Sequence, residues 1–288
     1  MKKELFSLVF ASALLGASSL AFAGAYGDAE QPEELPAPPP AAPAPEPEPE
    51  PLVMHRYSGY MTDGETTRGL RGEIGTVYAA EYHPSSVGDV EATNTYGYLA
   101  YGKEMWEVGV FLPPYLYAHQ NGIGSADDFG DMRLWAKIIP VRTDMFAFGG
   151  GLIVTFPTGN DGMGTAEYGF EPFLTASVQV GVASIRYSAG YNVFTAHGAP
   201  LSDDAYDNFD ENLAVLAPVA DNVVVRAELV HNHFVDSKAD PVSLVPGVDV
   251  SFPIGSVELV LRPTLGIGLT EAPDWQIGLG IAVNAAGI

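Results

Sequence analysis

The sequence predicts an all-β chain: a transmembrane antiparallel up-and-down β-barrel of about 12 strands, preceded by a disordered Pro/Glu-rich spacer. Three observations predict it. Apolar and polar residues alternate with period two, the alternating runs are long enough to cross a bilayer, and the connections between them are short and long by turns. A soluble sandwich could use any one such ribbon with its apolar face inward. It gives no reason for connections that alternate in length.

The chain opens with Met1-Lys2-Lys3, a largely apolar run from Leu5 to Leu20 and the small-residue site Ala21-Phe22-Ala23, the pattern of a signal peptide over 1–23. No later segment offers the roughly 18 consecutive apolar residues of a membrane-crossing helix, so any spanning falls to strands. Cysteine is absent, which removes disulfides and thiolate metal sites. Residues 24–51 are mainly Pro, Ala and Glu, with seven acidic residues and no basic one. Such a segment cannot bury a core; it is expected as a solvated periplasmic spacer rising about 3.1 Å per residue. Residues 52–72 gather His55, Arg56, Arg68 and Arg71, and suit either a plug or a segment at the periplasmic mouth. The net charge of −23 argues against nucleic acid as a partner, because phosphate contacts need clustered Lys and Arg.

Residues 73–288 are expected to form the barrel, with strands near 73–82, 94–102, 105–117, 129–139, 144–157, 167–179, 182–194, 208–219, 222–234, 242–253, 256–269 and 274–284. In 182–194, for example, Ile185, Tyr187, Ala189, Tyr191 and Val193 share one face, and Ser184, Arg186, Ser188, Gly190 and Asn192 the other. The first face suits lipid and the second water. Links after even-numbered strands are tight, as at Lys103-Glu104, Ala220-Asp221 and Ile254-Gly255, whereas 83–93, 118–128, 158–166 and 195–207 are longer. Outer-membrane barrels keep short turns on the periplasmic side, which would put both termini there. Tyr96, Tyr98, Trp106, Tyr115, Phe156, Tyr168 and Trp275 fall near strand ends, where interface girdles place aromatic rings, although such rings also simply favour strands.

On the lumenal parity stand Arg133, Lys137, Arg186, Arg226 and Arg262, with Asp131, Glu107, Glu167, Glu171, Glu228 and Glu258. One reading makes them a pore lining in which opposed charges orient a small polar or aromatic-acid solute. The other has them pair with one another to fill a narrow barrel.

The run Phe129-Gly-Asp-Met-Arg-Leu-Trp-Ala-Lys137, followed by Phe148-Gly-Gly-Gly-Leu-Ile-Val-Thr-Phe-Pro-Thr-Gly-Asn-Asp161, resembles the outer-membrane transporter-like family of the meta-pathway of phenol degradation. The stretch Thr264-Leu-Gly-Ile-Gly-Leu-Thr-Glu-Ala-Pro-Asp-Trp-Gln-Ile-Gly-Leu279 is similar to that family's closing hairpin. The resemblance covers about 75–284 and implies a twelve-stranded type of barrel passing small hydrophobic or aromatic compounds. Two departures stand out: the chain runs past Val283 into Asn284-Ala-Ala-Gly-Ile288 rather than ending on an aromatic residue, and the acidic spacer is foreign to the family pattern.

No catalytic set emerges. His83-Pro-Ser85 and His197 to Ser202 bring serine near histidine without completing a nucleophile, base and orienting group. His231 and His233 share one strand face, but no third metal ligand is visible, so neither metal nor cofactor is assigned. The sequence therefore supports an outer-membrane channel for small solutes, with membrane lipid and the barrel-insertion machinery as partners. A structural or interaction barrel with a charge-sealed lumen is the alternative, and an outer-membrane enzyme the weakest.

Overall fold

The structure, a computed structural model, describes residues 66, 69–81, 89–121, 124–159, 164–165, 167–195, 207–235, 240–270 and 272–285. The signal peptide, the spacer and nearly all of 52–68 lie outside them. Thirteen strands follow in order: β1 (Gly69–Glu81), β2 (Val90–Lys103), β3 (Trp106–Gln120), β4 (Gly124–Phe129), β5 (Met132–Arg142), β6 (Phe146–Phe156), β7 (Gly169–Val180), β8 (Ala183–Phe194), β9 (Asn208–Ala220), β10 (Val223–Phe234), β11 (Val242–Ile254), β12 (Val257–Gly268) and β13 (Trp275–Ala285).

All neighbours are antiparallel, and β1 pairs with both β13 and β2, closing a 12-strand barrel with one extra strand, β4. Closure matters because hydrocarbon offers no partner to an unpaired N–H or C=O. The wall begins at Gly69 rather than at 73. Tight turns at 104–105, 143–145, 181–182, 221–222 and 255–256 alternate with longer connections, and Gly69 and Ala285 both sit at the tight-turn end.

The expected fourth strand, 129–139, is β5, and a further short strand, β4, precedes it. β5 pairs with β3 only from Trp106↔Ile138 to Phe111↔Arg133, while β4 continues along the far half of β3 from Tyr115↔Phe129 to Gln120↔Gly124. Between the two, β3 carries Pro113 and Pro114, which have no N–H to give. A single bond, Gly130 N–H to the Pro114 carbonyl at 2.8 Å, bridges the gap. The segment 118–128, expected as a loop, is therefore mostly strand.

Alternation sorts the side chains as the pleat demands. Ile74 and Ile138, each 60 % exposed, and Leu174 at 57 % belong to a continuous outward band of aliphatic residues. In water such a wall would be an aggregation surface, whereas hydrocarbon is the solvent it matches.

A lumen with an aromatic arc and an ionic arc

The inward face divides by strand. From β2, β3, β5, β6 and β7 come Tyr98, Phe111, Trp135, Ile153 and Phe173, which form one buried apolar cluster with Ala100. Phe111 and Trp135 lie 4.5 Å apart between ring centroids, and Tyr98 meets each ring edge-on at 5.8 and 5.9 Å. The Trp135 indole needs Gly109 beside it on β3, since a Cβ there would run into the ring. Within this arc Lys137 pairs with Glu107 at 3.3 Å, and the Trp135 N–H donates to Glu107 at 3.1 Å.

The other arc, on β1 and β9–β13, is ionic. Glu73 on β1 lies 2.6 Å from Arg262 Nη1 and 3.6 Å from Arg71, and accepts hydrogen bonds from the Tyr96 and Tyr98 hydroxyls at 3.1 Å each. Arg262 continues to Asp249 at 3.4 Å, Asp249 to Arg226 at 3.3 Å, and Arg226 to Glu228, which also accepts from Asn212 at 3.2 Å. Each member of this chain of charges is at least nine-tenths buried. Glu73 and Arg262 sit on strands separated by β13, where Gly280 is the register partner of Arg262 and Ala282 that of Glu73. A Cβ at Gly280 would come within 2.9 Å of the Glu73 carboxylate, so the bare backbone there gives the pair room to meet over the intervening strand. Burial of this depth penalises a lone charge heavily, and reciprocal pairing is what makes the ladder tolerable.

The predicted lining residues thus take different places. Arg226, Arg262 and Glu228 belong to the ionic arc, and Lys137 and Glu107 form their own pair. Arg186 is buried with its Nε 3.3 Å from Ser184, Glu258 accepts from Asn284 at 2.9 Å, and Glu167 is buried just ahead of β7. Arg133 lies over the Phe111 ring at 4.9 Å. Glu171 is 3 % exposed and accepts no hydrogen bond from a described residue. Asp131 corrects the expectation of a lining charge. It sits in the break between β4 and β5, where its carboxylate accepts the N–H groups of Thr158, Gly159 and Thr165 at 3.0, 2.8 and 2.6 Å and so ties down the β6–β7 connection.

Two girdle expectations are also corrected. Tyr96 and Tyr98 face the lumen, because the even positions of β2 turn inward while Leu99 and Tyr101 face out. The remaining rings are outward or at strand ends and meet across strands: Trp106 with Tyr101 at 5.7 Å, Tyr115 with Phe129 at 5.4 Å, Phe156 with Tyr168 at 6.0 Å, and Trp275 with Tyr78 at 5.4 Å. Sequence reasoning missed Arg71 by leaving it outside the barrel. Its period-two spacing from Glu73 was the available signal. His231 and His233 face outward, where Glu211 lies 3.1 Å from His231 Nδ1 and Asp240 meets both imidazoles.

No family model and no curated protein matches the sequence. Among solved structures, an outer-membrane channel from Pseudomonas putida F1 is similar over 75 % of this chain and 95 % of its own, at 13 % identity and a TM-score of 0.59. The transport unit of the autotransporter AIDA-I from Escherichia coli covers 80 % of this chain and 94 % of its own at 8 % identity, TM-score 0.51. The NanC porin covers 75 % and 100 % at 10 % identity, TM-score 0.50. At these identities the likeness is one of architecture, and by that architecture the chain is a closed antiparallel barrel of the kind these outer-membrane proteins share.

Proposed function

We propose that this protein is a non-enzymatic outer-membrane channel for small solutes, exported by its signal peptide, inserted by the barrel-assembly machinery and carrying its acidic spacer in the periplasm. The observation that carries the reading is the division of the lumen. A wall that is aromatic on one arc and ionic on the other gives a permeating molecule an apolar surface to slide on and fixed charges to orient it. Depth of burial along the ionic arc makes the passage narrow, which suits selective rather than general diffusion. Hydrophobic or aromatic compounds as cargo rest on the family resemblance and on the aromatic arc together.

The same burial favours a second reading, a sealed interaction barrel. Planar-bilayer recording of the mature protein separates the two. Discrete steps whose ion selectivity changes in Arg133→Ala are expected for the channel. A correctly folded barrel that is silent to ions and does not accelerate entry of any small solute would establish the sealed one.

A further inference from the structure

Glu73, Glu107, Glu228, Asp249 and Glu258 are buried on the inner wall, and each receives a hydrogen bond from a described side chain. Glu171 on β7 is as deeply buried and receives none from a described residue. Buried carboxylates are costly without a donor, so one kept in that state on a lumenal wall asks for a partner from outside the chain.

Its surroundings extend the imbalance. Glu171 stands opposite Ile153 on β6, and the pairs Phe170↔Val193 and Phe173↔Gly190 on either side set it against Asn192 on β8. The Asn192 Oδ1 is buried beside Gly169, and no described group donates to it. One strand further, Asp210 on β9 is the register partner of Gly190, which has no side chain to fill the space between Asp210 and Phe173. Asp210 holds one oxygen to the Asn208 Nδ2 at 2.6 Å, and its other oxygen has no described donor. The charges that act on Glu171 are those of Arg133 and Asp210. Arg133 is drawn over the Phe111 ring, so two carboxylates face a single guanidinium that is already stacked. Phe173, the next lumenal residue along β7, supplies an apolar surface that continues through Ile153 to Trp135.

Acceptors on three adjacent strands beside an aromatic wall are the complement of an alkylammonium group, which carries three N–H donors, no acceptor and one positive charge. We infer that this corner of the lumen, Glu171 with Asn192 and Asp210, is a binding site for small primary amines in their ammonium form, with the hydrocarbon or aromatic body lying against Phe173. The inference deepens the channel reading, on which its role in passage rests, by naming the charged end of the solute. A carboxylate-bearing solute finds only Arg133 as a charged donor here, and a neutral alcohol leaves the charge of Glu171 unanswered.

The probes are 2-phenylethylammonium, 2-phenylethanol and phenylacetate, which have nearly the same body and differ in charge. Each is titrated calorimetrically at neutral pH into the mature protein in lipid nanodiscs, with empty nanodiscs as the blank. The ammonium should bind at least tenfold more tightly than the alcohol, and phenylacetate more weakly than either. Glu171→Gln should lower the ammonium affinity at least tenfold and leave that of the alcohol within twofold, and Asp210→Asn should lower the ammonium affinity severalfold. Asp144→Asn, which removes the same charge in the 143–145 turn, should change neither. Equal affinities for ammonium and alcohol, or ammonium binding unchanged in Glu171→Gln, overturn the site. Tightest binding of phenylacetate overturns it as well and gives the recognition to Arg133. Planar-bilayer recording reports the channel reading separately. Discrete ion steps without ammonium preference leave a channel and remove the site, whereas Glu171-dependent ammonium binding in a barrel silent to ions and solutes keeps the site and removes the channel.

Discussion

Arg262→Met tests whether the ionic arc holds the barrel together. Arg262 is 3 % exposed and bridges Glu73 at 2.6 Å to Asp249 at 3.4 Å. Removing one partner of a buried pair costs about 3–5 kcal/mol, because the charge left behind stays desolvated. Here neither carboxylate is stranded entirely: Glu73 keeps Arg71 at 3.6 Å and two tyrosine hydroxyls, and Asp249 keeps Arg226 at 3.3 Å. The loss should therefore fall at the lower end, about 3 kcal/mol, which is more than a hundredfold in the unfolding constant. Urea titration of the protein in lipid vesicles, followed by the gel mobility of folded and unfolded forms, gives the number. The double variant Glu73→Gln/Arg262→Met should lose less than the sum of the single losses, with a coupling of about 1–3 kcal/mol. A loss below about 1 kcal/mol, the range of exposed ion pairs, or strict additivity in the double variant would refute the buried-ladder reasoning.

Two further outcomes are expected. Asp131→Ala leaves the N–H groups of Thr158, Gly159 and Thr165 without their shared acceptor, so limited proteolysis should cut within 157–168 at least tenfold faster while the barrel keeps its folded gel mobility; equal cutting rates would mean the carboxylate anchors nothing. The hydrogen bond from His233 holds the Asp240 carboxyl, outside the spanning strands, below its usual value, so the pair stabilises above about pH 4 and that contribution is lost as pH falls through the lowered pKa; in His233→Ala the Asp240 titration followed by NMR should move up towards the ordinary carboxylate range, and no movement would remove His233 as the cause.

Most strand positions were legible because a half-lipid, half-water wall writes its period into every residue pair. The alternation of Ile185 and Tyr187 with Arg186 and Ser188 leaves no second register that keeps both solvents satisfied. Legibility failed where that constraint lapses. At Pro113-Pro114 both residues are apolar and the face is ambiguous, so the extra strand β4, lying within the expected loop 118–128, could not be seen. Tyr96 and Tyr98 were placed by residue type rather than by parity with Leu99, and tyrosine suits a headgroup region and a buried carboxylate equally well. Most of the lumenal charges were legible, Arg71 being the exception on β1 and Asp131 the one placed wrongly. Which of them pair was not, because Glu73 meets Arg262 through the curvature of a closed wall, over the missing side chain of Gly280.

That missing side chain has a bearing on how the barrel counts its own strands. Glu73 waits 189 positions along the chain for Arg262, so the bond between them exists only once the last hairpin has been added and the sheet has curled shut. A barrel closing one hairpin early would put β11 beside β1 and leave the carboxylate of Glu73 without Arg262. The pair thus marks completion: it forms only when the first strand and the last hairpin have come together at the full circumference.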